Sequence, residues 1–132
     1  AKGFLKIQSG MLLLVSHVTL LTYAEAYSVV ADLLALTHDE ESLTEQHCIN
    51  KALKLGQQAY LQRRISSPAS IGKLVFKNGF RLAQHRKLAT GGSPEIGQDR
   101  KAFAAEVRDV LRRIELIRAL GVSIRNSTGE SS

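Results

Sequence analysis

Val18-Thr-Leu-Leu-Thr-Tyr-Ala-Glu-Ala-Tyr-Ser-Val-Val-Ala-Asp-Leu-Leu-Ala-Leu36 decides the fold. Leu20, Ala24, Tyr27, Ala31 and Leu34 recur every three or four positions, the spacing of one helix face. Leu21, Val29, Val30 and Leu33 lie beside that stripe, so apolar side chains surround much of the circumference. A helix of this kind belongs at the centre of a bundle. Met11 onward extends the segment backward, with Gly10 marking the break. The uncharged run from Ile7 to Ala24 approaches membrane-spanning length, but Gln8, Ser9, Gly10, Ser16, His17, Thr19 and Thr22 interrupt it. A spanning helix needs about 20 predominantly apolar residues, so a buried or interfacial helix is expected. No small-residue cleavage signature of a signal peptide follows it.

Downstream, helical signals continue. Ser42 and Glu45 have the spacing of a capping box, opening a helix with Ile49, Ala52, Leu53, Gly56 and Tyr60 on one face and ending near Arg64. Ser67-Pro68 reads as the next start, with serine as cap and proline at the first helical position. Ile71, Leu74, Val75, Leu82 and Ala83 form its stripe, flanked by Phe76 and Phe80. Gly72 and Gly79 weaken it by about 1 kcal/mol each unless close packing requires them. Gly91-Gly92 and Ser93-Pro94 mark a loop. Phe103, Val107, Val110, Leu111, Ile114, Ile117 and Leu120 make the last apolar face, with Gly121 placed as a stop. Its other face carries Arg100, Lys101, Arg108, Arg112, Arg113 and Arg118. The prediction is an all-α fold, a bundle of about four helices with short loops. Residues 1–10 form an N-terminal segment, 11–121 one helical domain, and 122–132 a polar tail, disordered from Asn126.

The composition agrees with one small domain. The chain has 132 residues, 44% of them hydrophobic and 23% charged, which argues against wholesale disorder. A single cysteine, Cys48, excludes an internal disulfide and any zinc site built on two thiolates. The net charge of +6 is unevenly spread. Residues 1–50 hold two cations against six acids, a net −4, and residues 51–132 hold sixteen against six, a net +10. The basic half will attract polyanions, whether anionic lipid, nucleic acid or an acidic protein surface. The chain opens at Ala1 without an initiator methionine, and processing or origin in a longer protein is expected.

Reactive constellations are sparse. His17, His38, His47 and His85 lie in four segments, none with a glutamate between two histidines at i, i+4 spacing. His47 and Cys48 are adjacent, so on a helix they diverge by about 100°. Cys48 reads as a small buried hydrophobe, and nucleophilic use would require a neighbouring base or cationic pocket. Asp39, Glu40 and Glu41 are either an acid–base group or, more simply, solvated acids before a helix. Gly91-Gly92 offers a weak phosphate nest without a P-loop lysine. No catalytic residue, metal site or cofactor is expected. Arg63, Arg64, Lys73, Lys77, Arg81, Arg108, Arg112 and Arg113 are the candidates for contact with an anion, a lipid or another domain. The competing reading is an ordinary solvated helix face. A helix–turn–helix-like run from Ala52 to Lys87 keeps nucleic acid as the alternative partner, although the phenylalanines are placed as core rather than as stacking platforms.

A family resemblance runs through these segments. Tyr23-Ala-Glu-Ala-Tyr27 followed by Val29-Val-Ala-Asp32 resembles a helix in the C-terminal region of bacterial glycerol-3-phosphate acyltransferases. The likeness continues through Leu55-Gly-Gln-Gln, Leu61-Gln-Arg-Arg-Ile65, Ser67-Pro68, Lys73-Leu-Val-Phe76, Arg81-Leu-Ala83 and Arg100-Lys-Ala-Phe103, and ends in Glu106-Val-Arg-Asp-Val-Leu-Arg-Arg113. It spans roughly residues 20–118. The resemblance implies glycerolipid synthesis at the cytoplasmic face of a membrane. Full-length relatives move an acyl group from a thioester to the first hydroxyl of glycerol 3-phosphate, with a His-x4-Asp base in a preceding catalytic domain.

Here the fifth residues after the four histidines are Thr22, Leu43, Ala52 and Thr90, none of them aspartate. Gln57 stands where relatives tend to have arginine, and Ala69 where an acid usually follows Ser-Pro. The expectation is therefore a helical C-terminal domain, inactive alone, whose partners are the catalytic domain and an anionic membrane surface. Peripheral attachment at the inner face of the membrane and self-association through an uncovered apolar patch follow from the same reading. The alternatives are a stand-alone nucleic-acid binder and a small enzyme using His47 or Cys48.

Overall fold

The chain's central helix is apolar on nearly every side, and the other helices gather around it. The computed structural model describes residues 20–130, with side chains through Leu120. The break expected at Gly10 and the extension from Met11 lie outside the described residues. In order come α1 (residues 20–36), α2 (Glu45–Leu61), a 3-10 turn (Pro68–Ser70), α3 (Lys73–His85) and α4 (Ile96–Glu130). The fold is an all-α bundle, and no strand occurs among the described residues.

Helix α1 buries Leu21, Ala24, Ala26, Val29, Val30, Ala31, Leu33 and Leu34, as its circumference of apolar residues requires. Phe76, Phe80 and Ala83 of α3, Cys48, Ile49 and Ala52 of α2, and Phe103, Ala104 and Val107 of α4 complete the core. Gly79 is where α3 crosses α1. A β-carbon there would lie 3.1 Å from Val30 Cγ2 and 3.2 Å from Tyr27 Cδ1. The close approach accounts for a glycine inside α3 that would otherwise only weaken it.

Helix ends depart from the sequence expectations in informative ways. Thr44, not Ser42, caps α2, its hydroxyl accepting from the His47 amide at 3.3 Å. Ser42 is used elsewhere: its Oγ accepts from the Gly91 amide at 2.9 Å. Ser67-Pro68 does open a capped turn, with Ser67 Oγ accepting from the Ala69 amide, but only the 3-10 turn follows. The chain then runs extended through Ile71 and Gly72 before α3 starts at Lys73. The buried hydroxyl of Ser70 explains the interruption, because its bond to Glu25 holds this segment against α1.

Helices α2 and α3 end alike. Arg63 (φ 60°) and Lys87 (φ 61°) adopt the left-handed conformation. Around them, the Arg64 amide bonds to Ala59 O at 2.8 Å, and that of Leu88 to Ala83 O at 2.9 Å. This is the Schellman arrangement, with a basic residue where glycine is usual.

Helix α4 is the longest element, 35 residues or about 50 Å. Its first half packs through Ile96, Phe103, Val107 and Leu111, and Leu111 and Ile114 meet Leu21 and Ala24 of α1. Val110, Leu116, Ile117 and Leu120 are exposed. The helix continues past Gly121, where a stop was expected, to Glu130, into the expected tail. A glycine inside a helix lowers its stability by about 1 kcal/mol relative to alanine without dictating an end.

Candidate functional site

Two buried charges organise the loops between helices. Arg100, on the first turns of α4, is fully buried. Its Nε donates to Leu88 O, its Nη1 to His38 O and its Nη2 to Glu41 O, each at 2.9 Å. One guanidinium thus joins the α1–α2 loop and the α3–α4 loop to α4. The same loops are laced directly by Leu43 N to Ala89 O and Gly92 N to Asp39 O, both 2.8 Å. Burial pulls the Arg100 pKa below its usual value, and the nearby Asp39 and Glu41 charges oppose that shift. The sequence placed Arg100 on the solvated basic face, and the structure corrects this. The signal was present: Arg100, Phe103, Val107 and Leu111 share the spacing of one buried stripe.

Glu25 is the second buried charge, on α1. Its carboxylate accepts from the Ser66 amide, from Ser66 Oγ at 3.1 Å and from Ser70 Oγ at 2.9 Å. Ser28 Oγ donates to the Glu25 carbonyl at 2.7 Å. The carboxylate therefore fixes the segment after α2 against the central helix. Its spacing from Leu21 and Val29, one turn away on each side, could have marked it as inward-facing.

A cleft of about 420 Å³ opens between α1, the end of α2 and α4. Val29, Leu55, Ala59, Ile65 and Leu111 supply apolar walls, and Ser28, Asp32, Arg64 and Arg108 supply polar ones. Arg108 Nη2 donates to Asp32 Oδ1 at 2.9 Å, an exposed pair across the opening. Arg64 Nε donates to Gln62 Oε1 at 2.9 Å.

Of the eight basic candidates, the cleft brings together Arg64 and Arg108. Lys77 is held by Glu45 at 3.7 Å, and Arg113 by Asp109 at 3.1 Å within α4. Lys73, Lys77 and Arg81 follow one another every four residues along α3, away from the cleft lining. Arg63 sits in the left-handed turn after α2, and Arg112 is exposed on α4.

The reactive groups do not assemble. Cys48 is completely buried, and burial, reinforced by Glu45, pushes its thiol up to about 11. A thiol so protonated is a poor nucleophile at neutral pH. His47 is exposed beside it. His38, Asp39, Glu40 and Lys101 line a separate polar depression of about 470 Å³. Among the described residues, no group of three or more His, Cys, Asp or Glu side chains is arranged to hold a metal ion. Gly91-Gly92 makes no phosphate nest, since both amides are bonded, to Ser42 Oγ and to Asp39 O. A β-carbon at Gly91 would meet the Glu41 carbonyl oxygen at 2.5 Å, so the glycine serves loop-to-loop packing. Phe76, Phe80 and Phe103 are buried, which leaves them unable to stack on nucleic-acid bases.

Residues 5–91 match the model of the glycerol-3-phosphate acyltransferase C-terminal region. The chain belongs to that family. It is 37% identical over 108 residues to the putative acyltransferase plsB1 of Mycobacterium bovis, across 81% of this chain and 17% of that protein. The putative acyltransferase plsB1 of Mycobacterium tuberculosis matches with the same 37% identity and the same shares of each chain. The chain thus spans 17% of the length of these curated relatives. No solved structure matches.

Several segments that carried the resemblance to this acyltransferase C-terminal region hold buried charges or line the cleft. Tyr23–Tyr27 contains Glu25, the Ser67-Pro68 turn lies between its two serine partners, and Arg100–Phe103 begins with the buried guanidinium. Leu61–Ile65 and Glu106–Arg113 contribute Arg64 and Arg108 to the cleft. None of the described helices is long and apolar enough to cross a membrane.

Proposed function

We propose that this chain is the non-catalytic, helical C-terminal unit of a glycerol-3-phosphate acyltransferase, which supports the catalytic domain and docks at an anionic membrane surface. The observation that carries the reading is a family match to the C-terminal region in a sequence with no His-x4-Asp. The buried, protonated Cys48 adds support, since it removes the strongest candidate nucleophile. The exposed cations Arg63, Lys73, Arg81 and Arg112 are suited to lipid phosphates. Each would contribute on the order of 1 kcal/mol near an anionic bilayer and would be screened by salt. The reading places the unit peripherally at the cytoplasmic side of the membrane.

The purified chain, given an acyl thioester and glycerol 3-phosphate, is expected to show no turnover above blank. It should sediment with phosphatidylglycerol vesicles at low salt, release at high salt, and ignore neutral phosphatidylcholine vesicles. Turnover abolished by Cys48→Ala or His47→Ala would contradict the non-catalytic role. Equal binding to neutral and anionic vesicles would contradict the membrane role.

A further inference from the structure

We propose that the cleft between α1, α2 and α4 binds a single-chain anionic amphiphile, with its hydrocarbon tail on the apolar walls and its anionic head at Arg64. The inference goes beyond support and membrane docking and does not rest on either. At about 420 Å³ the cleft falls in the range of small-molecule sites. Its walls are divided by chemistry. Val29, Leu55, Ala59 and Leu111 present hydrocarbon, while the polar side chains belong to Ser28, Asp32, Arg64 and Arg108.

The two guanidiniums are not equivalent. Arg108 already donates to Asp32. Arg64 uses its Nε on Gln62, and its two terminal amino groups donate to no other described residue. Guanidinium amino groups form a planar fork matched to the two oxygens of a carboxylate or a phosphate monoester. One spare cation beside one neutralised pair selects for a single anionic head. The apolar walls select for an alkyl tail rather than a free inorganic anion. A fatty carboxylate and an alkyl phosphate share this chemistry, and separate titrations distinguish them.

The test is calorimetric titration of the full chain with four probes, the alkyl ones below their micelle-forming concentrations: decanoate, decyl phosphate, decanol and inorganic phosphate. The expected result is saturable one-site binding of at least one of the two alkyl anions, with decanol about tenfold weaker and inorganic phosphate inert. Arg64→Gln should weaken the alkyl anion about tenfold and leave decanol unchanged. Asp32→Asn, which frees Arg108, should tighten it several-fold. Leu55→Trp, which fills the apolar wall, should remove binding while the far-ultraviolet circular dichroism stays helical. Decanol binding as tightly as the anions, non-saturable uptake, or wild-type affinity in Arg64→Gln would each overturn the proposal. So would unchanged affinity in a folded Leu55→Trp variant.

Discussion

Glu25 and Arg100 are both withdrawn from water, yet they do different work with their charge. Glu25 gathers one amide and two hydroxyls from a single segment, Ser66–Ser70, 41 to 45 residues away in sequence. Arg100 gathers carbonyls from two loops that are about sixty and about twelve residues away in sequence. Hydroxyl donors can rotate to other partners when the carboxylate is lost. Backbone carbonyls in a closed loop cannot, so removing the guanidinium takes the side-chain donor from Leu88 O and Glu41 O, while His38 O keeps only the Glu41 amide. A buried charge is worth what its removal leaves behind. Arg100 should be the more costly to lose.

Arg100→Met should cost about 3–5 kcal/mol in urea unfolding, and Arg100→Lys should recover less than half, since an ammonium cannot span three separated carbonyls. A loss below about 1 kcal/mol in Arg100→Met would mean that the direct loop bonds suffice alone.

Cys48 is a third buried ionisable group, and it stays neutral. The folded thiol keeps its proton up to about 11, whereas the unfolded thiol releases it near the ordinary 9.0. Between those values the unfolded chain holds fewer protons, so stability falls as pH rises. Relative to Cys48→Ala, the wild type should lose about 2–3 kcal/mol between pH 8 and pH 11. A flat difference would show that the thiol is reached by water.

Glu25→Gln keeps the shape and removes one acceptor, so it should cost about 2 kcal/mol, clearly less than the arginine variant. An equal or larger loss would reverse the ranking. The smallest effect belongs to the two helix ends. Arg63→Gly removes the left-handed strain of a side-chain-bearing residue and should stabilise by about 1 kcal/mol, with Lys87→Gly close to it. Destabilisation instead would show that these side chains hold the ends by contacts of their own.

Helical periodicity made the bundle legible because α1 and the first half of α4 carry most of their apolar residues on buried stripes, with Leu20 and Val110 exposed. Gly79 could be read only conditionally, as a glycine tolerated if two helices touch, and the touching partner Val30 is distant in sequence. The loops were less legible. Ser42 satisfies the local spacing of a capping box, but the Gly91 amide, far along the chain, competes for its hydroxyl. The Ser67-Pro68 start stops after one turn because Glu25 claims Ser70. Arg100 looked like another cation on a basic helix, since charge alone does not say which face is inward. The candidate site was legible as residue types, not as a place. Arg64 and Arg108 stood among eight candidates, and only the packing of α1, α2 and α4 brings those two to one cleft.

An acyltransferase of this family is expected to depend on this chain as a structural unit. The direct measurement is turnover of Mycobacterium tuberculosis plsB1 in which the matched segment is deleted, replaced by this chain, or replaced by this chain bearing Arg100→Met. Deletion should abolish turnover, the graft should restore it, and the Arg100→Met graft should fail at temperatures where that variant unfolds. Full turnover in the deletion, or equal turnover in the two grafts at those temperatures, would contradict the account.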